Sequence, residues 1–308
     1  MFGIGITHGL EAVCLDKYLS SKKNIAMFVL PAFLIFFLIA IVPLLVSAYY
    51  SLFEYNGVGA KTFIQVKNYI DLFTDKKFIR ATQNASIMMA ASLFIQLPIS
   101  FLLALTLSRG VPGEKTFRTI YFVPVLISSM VIGQLFINIF NSQYGLLNGV
   151  ISYFIPDYHF AWLTSSKTAY FSTVVPQVWQ YIGYHMLILY AGMKSISTDY
   201  YEAAKIDGAT GFKATMKITI PLMAPVIKTC TVFAIVGSIK AFDMVFIMTN
   251  GGPNNISHVP ATLMYNNLFK RSLYGYGSAQ SFMIVLECLI LSWIVSMLFK
   301  KAEDNASL

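Results

Sequence analysis

Charge is what this sequence has least of. Only 12% of its 308 residues are Asp, Glu, Lys or Arg, against about 25% in a typical soluble domain. Hydrophobic residues make up 56% and aromatic residues 15%, with a mean hydropathy of +0.65. That balance excludes a water-soluble globule. Acidic side chains are scarcer than basic ones, 14 against 22, which leaves a net charge of +8. The basic residues are scattered rather than gathered into a stripe or a recognised motif, so no nucleic-acid partner is expected. Cysteine is rare too. Cys14, Cys230 and Cys288 lie far apart with no CxxC or Cys/His spacing, which argues against a disulfide or a metal site.

Catalytic and nucleotide-binding motifs are also missing. The stretch from Gly110 to Thr116 lacks the spacing and the Gly-Lys pair of a GxxxxGK[ST] phosphate loop, and there is no HExxH. No Ser/His/Asp set or carboxylate pair stands out. An enzyme is therefore not expected, and any energy must come from another chain. Internal repeats, low-complexity tracts and Pro/Ser-rich linkers are absent as well, which favours one membrane domain over residues 25–299. Residues 1–24 and 300–308 flank it.

What is present is a series of apolar runs. A helical span needs about 20 mostly apolar residues, and the chain offers about six: 25–52, 78–107, 119–140, 168–193, 226–248 and 281–299. The runs are continuous rather than alternating, so an all-α bundle is expected, not a barrel. Lys22 and Lys23 precede the first run as in a signal peptide, but no small-residue cleavage site follows, so this run is read as an anchor. The loop set holding Arg109, Lys115, Arg118, Lys194, Lys205, Lys213 and Lys217 is richer in basic residues than the set holding Lys61, Lys67, Lys76, Lys77 and Arg80. The richer side is expected to be cytoplasmic, with both termini inside. Leu10, Val13, Cys14 and Tyr18 fit one face of a short surface helix, and equally a frayed terminus.

The most charged loop runs from Thr198 to Pro225. Asp199 and Glu202 have capping-box spacing, which would start a helix at Tyr200. Gly208 suits the left-handed residue that ends it, and Thr210 can cap a second helix. Phe212, Met216 and Ile220 then form one apolar face beside Lys213 and Lys217, and Pro221 and Pro225 mark the exit into the next span. Small residues at Ala203, Ala204, Gly208 and Ala209 would let the bend enter a groove closely. This is the pattern of a docking element.

Glu202-Ala-Ala, then Asp207-Gly-Ala, then Ile218 and Pro221 resemble the EAA motif of ABC importer permeases. Two further segments, Lys240-Ala-Phe-Asp-Met-Val-Phe-Ile-Met-Thr-Asn-Gly-Gly-Pro253 and Tyr274-Gly-Tyr-Gly-Ser-Ala-Gln-Ser281, are similar to the sugar-permease branch that contains the maltose and glycerol-phosphate permeases. The resemblance implies a type I importer permease fold in a bacterial inner membrane, with a cytoplasmic coupling helix between spans four and five. It implies that Glu202, Ala203, Ala204, Asp207, Gly208 and Ala209 dock on an ATPase. It also implies that Gly251, Gly252 and Pro253 face an extracellular sugar-binding protein. The implied partners are a second, homologous permease subunit and two ATP-binding subunits; ATP and Mg belong to those subunits, and this chain binds no cofactor. Glu202 completing a capping box, and Gly251 to Pro253 forming an ordinary turn, remain compatible readings.

Polar residues inside the spans need partners or a wet cavity, because a charge at mid-membrane costs about 2.5–3.5 kcal/mol on insertion scales. Lys240 and Asp243 lie three apart in the fifth span, where one helical face would let them neutralise each other. The fourth span is unusually polar, with Gln177, Trp179, Gln180, Tyr181, Tyr184 and His185. Asp243, Lys240, Gln180, Tyr184, Gln177 and Asn84 are candidates for a sugar path, since amides and carboxylates bond hydroxyls and aromatic rings cover a pyranose face. Interhelical hydrogen bonding is the competing reading for these residues, and for Gln96 and Glu287. An ion-coupled secondary transporter and a non-transporting membrane scaffold are the alternative functions; no inverted halves support the former.

Overall fold

The structure is a computed structural model, and it describes residues 22–306. The surface helix expected within residues 2–19 lies outside them. Helix α1 (Lys22–Tyr50) opens the chain. A two-stranded antiparallel hairpin follows, β1 (Phe53–Glu54) on β2 (Thr62–Phe63), with Phe53 opposite Phe63. Next come α2 (Lys67–Thr74), α3 (Lys76–Ser108), α4 (Glu114–Leu126), α5 (Ser129–Ile139), α6 (Leu146–Ser152) and α7 (Ala169–Lys194). The remaining helices are α8 (Thr198–Ile206), α9 (residues 211–222), α10 (Ala224–Ile239), α11 (Asp243–Met248), α12 (Pro260–Tyr265) and α13 (Tyr274–Ala306).

Among the described residues, four helices are long and apolar enough to cross a membrane: α1, α3, the run Ala224–Met248 and α13. The 119–140 run, expected as one span, is instead the pair α4 and α5, bent by 93°; counting the pair as one span gives five. Its cause is local. Ile127 and Ser128 take extended backbone, and Ser128 caps α5 by accepting from the Met130 amide. The 168–193 run is one 26-residue helix, α7, about 39 Å long. Its polar residues lower its hydropathy.

Three helices widen for a turn before a proline. The wide turns at Phe37–Ile41, Ser92–Gln96 and Thr215–Thr219 each end two residues before Pro43, Pro98 or Pro221. Proline has no amide hydrogen, and its ring crowds the carbonyl four residues back; a wider turn relieves that crowding without ending the helix. Pro221 thus lies inside α9 rather than terminating it.

Helix α7 is the central pillar, packed against α3, α4, α10 and α11. Gly183 permits the α4 contact: a Cβ there would lie 1.8 Å from the Tyr121 carbonyl oxygen. Met186, Leu189 and Met193 of α7 join Ala104 and Leu107 of α3 in the largest buried cluster. By contrast, the apolar window of α1 has no buried residue.

Candidate functional site

The charged loop folds as a helical hairpin. Ser197, not Asp199, caps α8, its side chain accepting from the Asp199 amide, so the helix begins at Thr198 rather than Tyr200. The capping box expected from Asp199 and Glu202 does not form, because Ser197 supplies the oxygen two residues earlier. Glu202 is left exposed. At the other end, the Ala209 amide donates to the Ala204 carbonyl at 2.7 Å and the Gly208 amide to the Lys205 carbonyl at 3.1 Å, with Gly208 at φ +70. That pair of bonds closes the helix and satisfies two terminal carbonyls. Ala204 is buried beneath the bend, Ala209 is half-buried, and Ala203, Asp207 and Gly208 face outward. Thr210 begins α9 without a side-chain capping bond.

Two hydroxyl contacts fasten the hairpin to itself and to the bundle. Tyr201 Oη lies 3.1 Å from Thr219 Oγ1, joining α8 to α9, and the Arg109 guanidinium donates to Thr215 Oγ1 at 3.2 Å, joining α9 to the end of α3.

Higher in the bundle, a cavity of about 410 Å³ opens between α3, α7 and α10. Four of the expected path residues line it: Gln177, Tyr184, Lys240 and Asp243. The wide turn of α3 adds Ser92 and Gln96, and α7 adds Tyr181 and His185. Gln96 Nε2 lies 2.8 Å from His185 Nδ1, and Ser238 Oγ donates to Ser92 Oγ at 3.1 Å, so part of the polar wall is fixed from within. Lys240 and Asp243 do not share a helical face as expected. The helix breaks at Lys240–Phe242, and the two side chains form no ion pair with each other. Asp243 instead opens α11, where a carboxylate suits the helix dipole, and Lys240 ends α10. Both stay accessible from the cavity.

Gln180 and Asn84, expected along the same path, lie off its wall. Gln180 Nε2 donates to the Ile127 carbonyl at 3.3 Å, holding α7 to the bend between α4 and α5. Asn84 Nδ2 donates to the carbonyls of Ile256 and His258 at 2.7 and 2.8 Å, and the Asn84 carbonyl accepts from Tyr170 Oη. Glu287 is also elsewhere, half-buried beside Thr82 and Ile239.

Asn84 therefore anchors the turn that follows α11. Gly251 there is buried at φ +83, and a Cβ on it would meet the His258 ring at 2.1 Å. His258 in turn places Nδ1 2.9 Å from Thr262 Oγ1 and Nε2 3.1 Å from Asn266 Nδ2. Burial, then the positive charges of Lys270 and Lys77, push its pKa down to about 4. Gly252 and Pro253 are half-buried, and Asn254 and Asn255 form the exposed tip.

The family described as binding-protein-dependent transport system inner membrane component matches residues 96–304, which takes in the hairpin, most of the cavity wall and this turn. The chain belongs to that family. The permease is 32% identical over 283 residues to the probable ABC transporter permease protein YurN of Bacillus subtilis, covering 91% of this chain and 97% of that one. It is 27% identical over 286 residues to the probable starch degradation products transport system permease protein AmyD of Thermoanaerobacterium thermosulfurigenes, covering 90% and 94%. To the trehalose/maltose transport system permease protein MalF of Thermococcus litoralis it is 27% identical over 280 residues, covering 91% and 93%. Among solved structures, a chain of a bacterial ABC transporter that imports the acidic polysaccharide alginate superposes with a TM-score of 0.78. It is 21% identical and covers 93% of this chain and 98% of that one, a likeness that shows the fold.

One cluster of the permease escaped sequence reasoning. Glu114, at the start of α4, accepts from Tyr190 Oη and lies 4.0 Å from Arg118 and 3.9 Å from Lys194. It pins the first turn of α4 to the last turn of α7. Only the i,i+4 pairing of Glu114 with Arg118 was visible in the sequence.

Proposed function

We propose that this permease is one of two homologous membrane subunits of an ATP-driven importer, and that it carries a sugar, most simply an oligosaccharide, delivered by an extracellular binding protein. The observation that carries this reading is the exposed bend of Glu202, Ala203, Asp207 and Gly208, closed by its own backbone bonds and tied to α3 through Thr215 rather than through its own side chains. Such a bend is a preformed plug for a groove on another protein. Two separate ATP-binding subunits, holding ATP and Mg, supply that groove and the energy. Their closure moves the two hairpins together, and the bundles exchange inward for outward opening.

In this reading α4 and α5 form a broken span and α7 a polar one, giving six spans with both termini and the hairpin in the cytoplasm. The polar cavity beside α7 suits cargo with many hydroxyls: Gln177 offers an amide, Asp243 a carboxylate, Lys240 a cation and Tyr184 a ring. The sugars named for the starch-product and trehalose/maltose relatives agree with that chemistry. The alginate transporter, solved with a pentasaccharide-bound periplasmic protein, supports a binding-protein partner, for which Gly251, Gly252 and Pro253 shape the outer turn. The bare apolar surface of α1 is open to lipid and to the second subunit.

The test is Glu202→Lys in the assembled transporter. The expected result is normal insertion with loss of ATPase co-purification and of uptake; unchanged uptake would sink the docking assignment. Asp243→Asn separates the cavity from packing: altered uptake with intact assembly supports a cargo role, and disassembly assigns the residue to structure.

A further inference from the structure

Two cavities flank the hairpin, and neither takes part in the cargo path. The first, about 510 Å³, lies between the hairpin and the ends of α3 and α7. Arg109, Lys194 and Lys205 line it together with the hydroxyls of Tyr201, Thr210 and Thr215, and no Asp or Glu does. Arg109 is oriented by its bond to Thr215, while Lys194 is shared with Glu114. A basin of cations and hydroxyls without a carboxylate is chemistry for a phosphate ester.

The second cavity, about 470 Å³, lies on the far side of Leu105 and Thr215, which line both. Apart from Thr215 and Thr231 its wall is apolar, formed by residues such as Leu97, Phe101 and Leu102 of α3, Met216 of α9 and Ile227 of α10. These stretches belong to α3 and to the run Ala224–Met248, so the groove is walled by helices long and apolar enough to cross a membrane. Phe212 and Met216, which also border it, are 75% and 47% exposed, with Lys213 and Lys217 exposed beside them.

We propose that an anionic phospholipid seats here, its phosphodiester between Arg109 and Lys205 and one acyl chain in the groove between α3, α9 and α10. The charge selects the occupant. A polypeptide helix would fill the groove but leave Arg109 and Lys205 without a counter-charge, and a zwitterionic lipid would neutralise them less well. The amphipathic face of α9, with Phe212 and Met216 exposed at the edge of the groove and lysines alongside, is what an interfacial helix presents to an anionic leaflet. The bound lipid would then brace α9 against α3 and set the resting position of the hairpin. Placing the site in the cytoplasmic leaflet rests on the orientation proposed above; lipid retention does not.

The full transporter, reconstituted in phosphatidylcholine nanodiscs doped with phosphatidylglycerol and re-extracted gently, is examined by native mass spectrometry. The expected result is one retained phosphatidylglycerol per chain in preference to phosphatidylcholine. Arg109→Gln with Lys205→Gln should cut retention about 30-fold, the effect of two cations at a membrane surface. Leu102→Trp, at an exposed position of the groove, should cut it with both cations intact. Equal retention of the two lipids, or retention unchanged in both variants, would overturn the proposal. So would thermal protection by inorganic phosphate equal to that by the lipid, which would mark a free-anion site. A photoreactive side chain at Leu102 that captures a polypeptide instead of lipid would show a protein in the groove and overturn the proposal. Lost uptake with lipid still retained would count against the transport reading and leave the lipid site standing.

Discussion

Two glycine turns in this permease share a backbone conformation and differ in everything around it. Gly208 has φ +70 and nothing within 4 Å of where a Cβ would stand; Gly251 has φ +83 and the ring of His258 at 2.1 Å. The first turn ends in solvent, its bend closed by its own amides and its outer residues bare. The second is filled from inside, with His258, Thr262, Asn266 and Asn84 taking up the space and the hydrogen bonds. A turn with room around it can receive a partner surface, whereas a packed turn transmits what happens behind it.

Substituting Gly251 gives the sharpest break in that contrast. Gly251→Ala adds overpacking against His258 to left-handed strain, for about 2–5 kcal/mol. Proteolysis of the 249–262 segment should become fast while the helical content by circular dichroism is kept. Asn84→Ala comes next. It leaves the carbonyls of Ile256 and His258 without their donor, a loss of about 2–4 kcal/mol that hydrogen exchange in the same segment would report.

Acid then probes the packed turn without a mutation. His258 has a folded pKa of about 4, below its ordinary 6.5, so below pH 6.5 the opened state binds more protons than the closed one. Stability of the turn is therefore full above pH 6.5 and falls as the pH drops toward 4. At pH 5 the loss is about 2 kcal/mol, seen as faster exchange around His258, and His258→Gln should remove the dependence. Gly208→Ala is the mildest change. With space for the methyl group, only the conformational strain of about 1–2 kcal/mol remains. Insertion should be normal and ATPase co-purification reduced less than by Glu202→Lys; a loss as large as that of Gly251→Ala would mean that the two turns are not different in kind.

Much of this was legible in the residues. The continuous apolar runs locate the long helices, the density of amides and aromatics marks α7 as the polar one, and Asp207-Gly-Ala marks the end of α8. What was not legible depended on atoms distant in sequence. Asn84 and Gln180 looked like path residues because a polar side chain in an apolar run must go somewhere. Their destinations, the carbonyls near residue 257 and at Ile127, belong to packing between elements. The capping box misled because Asp199 and Glu202 satisfy its spacing, while Ser197 starts the helix two residues earlier by accepting from the Asp199 amide. The break at Lys240–Phe242 carries no Gly or Pro and left no local signal. The bend before α5 did leave one, in Pro124 and Ser128, but a hydropathy count runs straight through it.

The wide turns ahead of Pro43, Pro98 and Pro221 make the length of these helices adjustable. Each wide turn holds about one residue more than a regular turn, so the helix beyond it is rotated by about 100° relative to a regular helix of the same sequence. Deleting one residue inside Ser92–Gln96 would therefore be absorbed as a tightened turn, with the downstream helix left in register, whereas the same deletion a turn later would rotate its whole apolar stripe. The prolines thus mark the places where a membrane helix of fixed span can tolerate a change in its residue count.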